Sequence, residues 1–128
     1  MRLLLDTSTF LWFLTADRRL SDRAAAAIRS AENDAWLSVV SFWEILVKHR
    51  LGRLPLPKPP FSYIPTQRRR HGIASLTLRE RAMVHLPKLP LHHRDPFDRM
   101  LVCQSLEHDM LLVTSDSTLA SYPVKTFW

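Results

Sequence analysis

With 128 residues, 46% of them hydrophobic, the chain can build one compact core and is too apolar to be a disordered tail. Its one cysteine, Cys103, excludes a disulfide within these residues, and its apolar runs are too short and too often interrupted by charge to span a bilayer. The net charge of +6, from 18 Lys and Arg against 12 Asp and Glu, suits a polyanionic partner, although it serves solubility equally well.

The chain enters a strand-like run, Arg2–Leu5, with no small-residue cleavage site before it. No signal peptide is therefore expected, and with one cysteine a cytoplasmic setting is. A short helix is predicted over 9–14, where Phe10, Leu11, Phe13 and Leu14 would bury most of its surface. Ser21 suits the N-cap of an alanine-rich helix over 22–30. A strand follows over 35–39. Ser41-Phe42-Trp43-Glu44 has capping-box spacing and opens a helix over 42–50, which Gly52 ends. Lys48, His49 and Arg50 fall in its last turn, where cations suit the helix dipole.

The proline-rich stretch 55–60 reads as a connection. Residues 63–70 form a basic helix closed by Gly72, and 73–76 a short strand. Thr77-Leu78-Arg79-Glu80 is a second capping box, opening a helix to His85. Residues 87–93 are a loop. Asp95-Pro96-Phe97-Asp98 combines an acidic cap, a proline at the first helical position and an acid in the first turn, so a helix runs to His108. A strand over 110–114, a helical turn at Ser117–Ala120 and a strand over 124–127 complete the chain. This alternation predicts one α/β domain over 1–128, with a mostly parallel central sheet covered by helices on both faces.

In such a fold, residues that end strands and residues that open the following helices share one rim, where ligands bind. Asp6 ends the first strand, Asp116 follows the late one, and Glu44 and Asp98 lie near helix starts. Each has a plain alternative as a turn residue, a cap or a partner of a helix dipole. Together they would crowd carboxylates on one rim, and the usual remedy is a hard divalent cation with oxygen ligands. No histidine stands at clear zinc spacing, His92 and His93 being adjacent, so a zinc site is not expected.

Four blocks carry a resemblance: Leu3-Leu4-Leu5-Asp6-Thr7, Ser41-Phe42-Trp43-Glu44-Ile45, the run from His93 through Asp95-Pro96-Phe97-Asp98-Arg99 to Val102, and Val113-Thr114-Ser115-Asp116. In order and over nearly the whole chain they resemble PIN-domain nucleases, most nearly the VapC-type toxins of bacterial toxin–antitoxin pairs. The resemblance implies a PIN-like three-layer sandwich and a Mg2+- or Mn2+-dependent endoribonuclease. Asp6, Glu44, Asp98 and Asp116 match its acidic, metal-binding quartet. Thr7 and Thr114 match small polar positions beside the acids, and Asp95 is a fifth acid, by its position a cap. RNA, a cognate antitoxin and a second copy of the chain are the implied partners. The chain departs from this pattern at Ser8, where histidine is common, and at Cys103 and Ser105, where small apolar residues are usual.

Beyond the acids, Arg68, Arg69, Arg70, Arg94 and Arg99 are candidates to grip RNA phosphates, against the plainer reading of a solvated face or ion pairs to the acids. Trp12, Trp36 and Trp43 read as core, with an exposed groove from Trp12-Phe13 and Phe42-Ile45 as the alternative. Two other functions stay open. One is a module that binds nucleic acid without cutting it. The other is a phosphatase with Asp6 as nucleophile, disfavoured because Ser8 stands where such enzymes carry a second aspartate.

Overall fold

Leu3, Leu4 and Leu5 are wholly buried, and the sheet is built around them. The computed structural model describes residues 1–91 and 95–128, so the readings of His92, His93 and Arg94 lie outside the described residues. Strand β1 (Arg2–Leu5) is flanked by β2 (Asp34–Ser38) and then β3 (Ala74–Leu76) on one side. On the other side lie β4 (Leu111–Val113) and β5 (Thr126–Phe127). The order is β3-β2-β1-β4-β5, and every pairing is parallel.

Successive strand residues point to opposite faces, so the leucines of β1 divide between two cores. Leu3 and Leu5 pack with Phe10, Ile28, Leu37, Ile45 and Ile64. Helices α1 (Thr7–Thr15), α2 (Asp22–Arg29) and α4 (Pro60–Arg70) supply that layer. Leu4 packs on the other face with Leu101, Val102, Cys103, Leu112 and Leu119, from β4, α5 (Pro96–His108) and α6 (Ser117–Ala120). Helix α3 (Val39–Arg50) serves both cores, through Ile45 and Val40. The expected three-layer α/β sandwich is therefore present, and Cys103 is a buried small hydrophobe in the second core. Among the described residues no helix is long and apolar enough to cross a membrane.

Several local expectations change. Helix α1 starts at Thr7, because Asp6 itself caps it, accepting the Thr9 N–H at 2.7 Å. Helix α3 starts directly off β2 with Ser38 as its cap, and the Ser41–Glu44 capping box does not form. The start at Ser38 gives the amide of the buried Val40 a partner in the Ser38 hydroxyl, at 3.0 Å. Ser41 instead lies in the first turn, buried, its hydroxyl without a partner among the described residues. Helix α4 begins at Pro60, where the absent N–H costs nothing, and Gly52 and Gly72 follow the ends of α3 and α4 with φ of +73° and +67°.

Nor does Thr77 open an α-helix. Its carbonyl accepts from Gln104 Nε2 at 3.3 Å, and the chain turns only at Glu80–Lys88, as a 3-10 helix containing Pro87. That segment docks on α5 through Glu107, which meets Arg81 Nε at 3.2 Å and His85 Nε2 at 3.1 Å. Trp43, read as core, is 56% exposed and meets Phe97 edge-on at 4.7 Å, whereas Trp12 and Trp36 pack against the two cores. Ile45 is fully buried, so no exposed groove forms from Phe42 and Ile45. At the C-terminus, Trp128 packs edge-on against Trp12 at 6.1 Å.

One hydroxyl joins the layers. Ser38 caps α3 and donates to the buried Gln104 Oε1 at 2.5 Å. Ser38→Ala loses the cap and strands a buried carbonyl oxygen, so it should cost about 2–3 kcal/mol. Urea unfolding measures this, and a loss below about 0.5 kcal/mol would mean the linkage does not hold the layers together.

Candidate active site

The chain runs outward from β1 through β2 to β3, then returns to the opposite flank of β1 as β4. The strand order reverses between β1 and β4, and a crevice at the carboxyl ends of the strands opens at such a point. Asp6 follows β1 and Asp116 caps α6 just beyond β4. Glu44 comes from the second turn of α3, and Asp95 and Asp98 from the start of α5. All five carboxylates line one cavity of about 260 Å³, with Thr7, Ser8, Ser115, Trp12 and Lys48. The rim predicted from the sequence thus brings the quartet and Asp95 into one place.

Two threonines link the acids in pairs. Thr7 Oγ1 donates to Glu44 Oε1 at 2.7 Å. Thr114 Oγ1 accepts the Asp116 N–H at 3.0 Å and hydrogen-bonds the Asp6 carboxylate. Lys48 Nζ pairs with Glu44 Oε2, one helical turn away on α3. Three of the acids also cap helices: Asp6 holds the Thr9 N–H, Asp116 the Thr118 N–H at 2.9 Å, and Asp95 the Phe97 N–H at 2.9 Å. The structure therefore gives Asp95 the capping role its Asp-Pro step suggested.

Asp6 is only 8% exposed. Burial pushes its carboxyl above the ordinary value and nearby Asp116 adds to the effect, while hydrogen bonds from Thr114 and Thr9 work against it. The donor set is carboxylate and hydroxyl oxygen alone, which fits a hard cation such as Mg2+ or Mn2+ and not zinc. Among the described residues, no three acidic, histidine or cysteine side chains close on one point tightly enough to form a ready coordination shell. Threonine, lysine and amide hydrogen bonds already engage several of these oxygens.

The described arginine candidates, Arg68, Arg69, Arg70 and Arg99, sit elsewhere. Arg68 Nη1 donates to the Ile73 carbonyl at 2.9 Å, closing the turn between α4 and β3. Arg99 Nη1 donates to the Pro90 carbonyl at 2.8 Å and Tyr122 Oη at 3.2 Å. Neither they nor Arg69 and Arg70 line the acidic cavity. Sequence reasoning missed Lys48 as a cavity residue by assigning it to the helix dipole. The signal was its i,i+4 spacing from Glu44, which puts the two on one helix face.

The PIN domain family model matches residues 3–125, which hold every one of these acids. The chain belongs to the PIN domain family. A stretch of 53 residues, 41% of this chain, is 42% identical to Ribonuclease VapC16 of Mycobacterium tuberculosis (strain ATCC 25618 / H37Rv) and spans only 38% of that relative. The fold is similar to that of VapBC2 from Rickettsia felis bound to a DNA fragment from their promoter. There the TM-score is 0.72 at 10% identity, over 98% of this chain and 96% of that one. It is also similar to a toxin–antitoxin complex from Klebsiella pneumoniae, with a TM-score of 0.60 at 16% identity, over 94% and 92% of the two chains.

The raised Asp6 carboxyl makes a stability prediction. A group raised on folding favours the folded state below its ordinary value, and that contribution is lost as pH rises through the folded value. Ionised Asp6 therefore weakens the fold at neutral pH. Asp6→Asn keeps an oxygen for the Thr9 amide, so in chelator at about pH 7 it should melt above the parent, and the gap should close toward about pH 4. Thermal melts at both pH values check this, and a variant that melts below the parent at both contradicts it.

Proposed function

We propose that the chain is a divalent-metal-dependent endoribonuclease, the toxin of a toxin–antitoxin pair, acting as one PIN-like nuclease domain over residues 1–128. The observation that carries this reading is five carboxylates around one cavity at the switch point of a basic protein. Such a cavity suits hydrolysis of a phosphodiester, which needs an activated water and neutralised phosphate charge. Asp6, Glu44, Asp98 and Asp116 would hold Mg2+ or Mn2+. Bound there, the ion supplies that neutralisation and acidifies water. Thr7 holds the Glu44 carboxylate in place, and Thr114 holds Asp6 beside Asp116. Asp95 works mainly on the backbone, its Oδ1 accepting the Phe97 and Asp98 amides of α5.

The net charge of +6 draws RNA toward the molecule, and the likeness to Ribonuclease VapC16 supports RNA as substrate. The likeness in fold to toxin–antitoxin complexes supports a cognate antitoxin as partner. Trp43, Val47 and Leu51 form an exposed apolar stripe along α3, at 56%, 36% and 59%, which suits a protein partner or a second copy in a homodimer. This reading places the protein in the cytoplasm.

The test is cleavage of a mixed RNA pool by the purified chain with Mg2+, Mn2+ or excess chelator, the new ends mapped by sequencing. Cleavage should require either metal. Asp98→Asn should lose more than about 100-fold in rate, while Asp95→Asn, still able to cap, should stay within about tenfold of the parent. Equal losses with folding intact would reverse the division of roles. Cleavage that persists in chelator refutes the metal mechanism, and RNA bound but left whole with both metals favours a non-cleaving binding module.

A further inference from the structure

Lys48 is the one basic side chain lining the acidic cavity among the described residues. It sits where that cavity meets a second, larger one of about 390 Å³, and the two share Thr7, Ser8, Trp12 and Lys48 as walls. The larger groove carries Arg19 and Arg53 and the aromatic rings of Trp12 and Tyr63. Arg19 is held bidentate by Asp17, at 2.8 and 3.1 Å, and lies over the Trp12 ring at 4.9 Å. A strand of RNA lying in this groove, its bases against the rings, would bring a phosphate past Lys48 before reaching the acids.

The placement of Lys48 suits that passage. Glu44 is 4% exposed and immobilised by Thr7, so it anchors the Lys48 ammonium from below. The Lys48 side chain is 47% exposed, so its head is reachable from the groove. An ammonium has three donors, and the bond to Glu44 uses one. A plain helix-dipole role would leave such a head in solvent beside the last carbonyls, whereas here it turns into the cavity.

We propose that Lys48 is a phosphate-contacting residue of the nuclease: anchored by Glu44 at the mouth of the acidic cavity, it donates to a non-bridging oxygen of the RNA phosphate entering from the neighbouring groove. This rests on the nuclease reading and adds a role for a residue outside the acidic quartet. It makes Glu44 a carboxylate with two duties, one toward the cation site and one toward Lys48.

The experiment compares the full-length parent, Lys48→Gln and Lys48→Arg by two readouts. Mn2+ affinity is measured by calorimetry without RNA, and Mn2+-dependent cleavage of the mixed RNA pool is measured as kcat/KM, with melting curves to confirm folding. Lys48→Gln should bind Mn2+ as tightly as the parent or more tightly, since a competing cation is gone, and should lose about 100-fold in kcat/KM. Lys48→Arg, which keeps the charge, should recover at least about tenfold of that loss. Parent-like cleavage by Lys48→Gln overturns the proposal. So does a loss that tracks weakened Mn2+ binding, or one that arginine leaves unrescued, because Lys48 would then only shape the cation site. If the parent itself fails to bind Mn2+ and to cut RNA, the nuclease reading fails and this role falls with it, a result distinct from every variant-specific outcome.

Discussion

Repulsion among carboxylates at the end of β1 is the constraint to which the rest of the site answers. Asp6 is nearly buried there, Asp116 stands close enough to raise its carboxyl further, and Glu44, Asp95 and Asp98 share the same cavity. Unopposed, such a cluster would force protons onto its members or push the strand ends apart. The fold opposes it with backbone. Helices α1 and α5 both start at this rim, and their first amides and dipoles point at Asp6 and Asp95. Thr7 and Lys48 add donors at Glu44, and Thr114 adds one at Asp6.

Stability and chemistry are thereby carried by the same side chains. Asp6, Asp95 and Asp116 each cap a helix while lining the cavity. An Asp-to-Ala change at any of them would confound two losses, about 1 kcal/mol of helix capping and a missing cavity oxygen. Asparagine separates the two, because its amide oxygen still caps but carries no charge. Glu44 differs from the three capping acids: it lies inside a helix, buried, and accepts from the side chains of Thr7 and Lys48.

The parts of the fold that were legible follow from signals whose physics is local. Three consecutive leucines in β1 suit a strand covered on both faces, and Asp95-Pro96 suits a helix start; the structure has both. What was not legible depended on choices between neighbouring residues of like chemistry. Ser38 and Ser41 are both good caps, and only the burial of Val40 and the demand of Gln104 for a donor select Ser38. Likewise the sequence around Thr77 satisfies a capping box, and only a partner on α5, Gln104, shows that the Thr77 carbonyl is engaged outside the helix. One buried glutamine thus bonds at both places where an expected capping box does not form.

The placement of Lys48 shows the same limit from the functional side. In a linear reading, a lysine in the last turn of a helix is explained by the dipole, and nothing further is required. What changes the reading is depth: Glu44 lies toward the sheet, at 4% exposure, while Lys48 lies on the same face one turn nearer solvent. A buried acid and a half-exposed base on one helix face form a line from the interior to the surface, and here that line ends at the junction of two cavities. The parallel sheet creates the junction, because α1 and α3 leave adjacent strands on the same rim. The acidic pocket and the groove beside it are consequences of one topology, and Lys48 stands where the two meet.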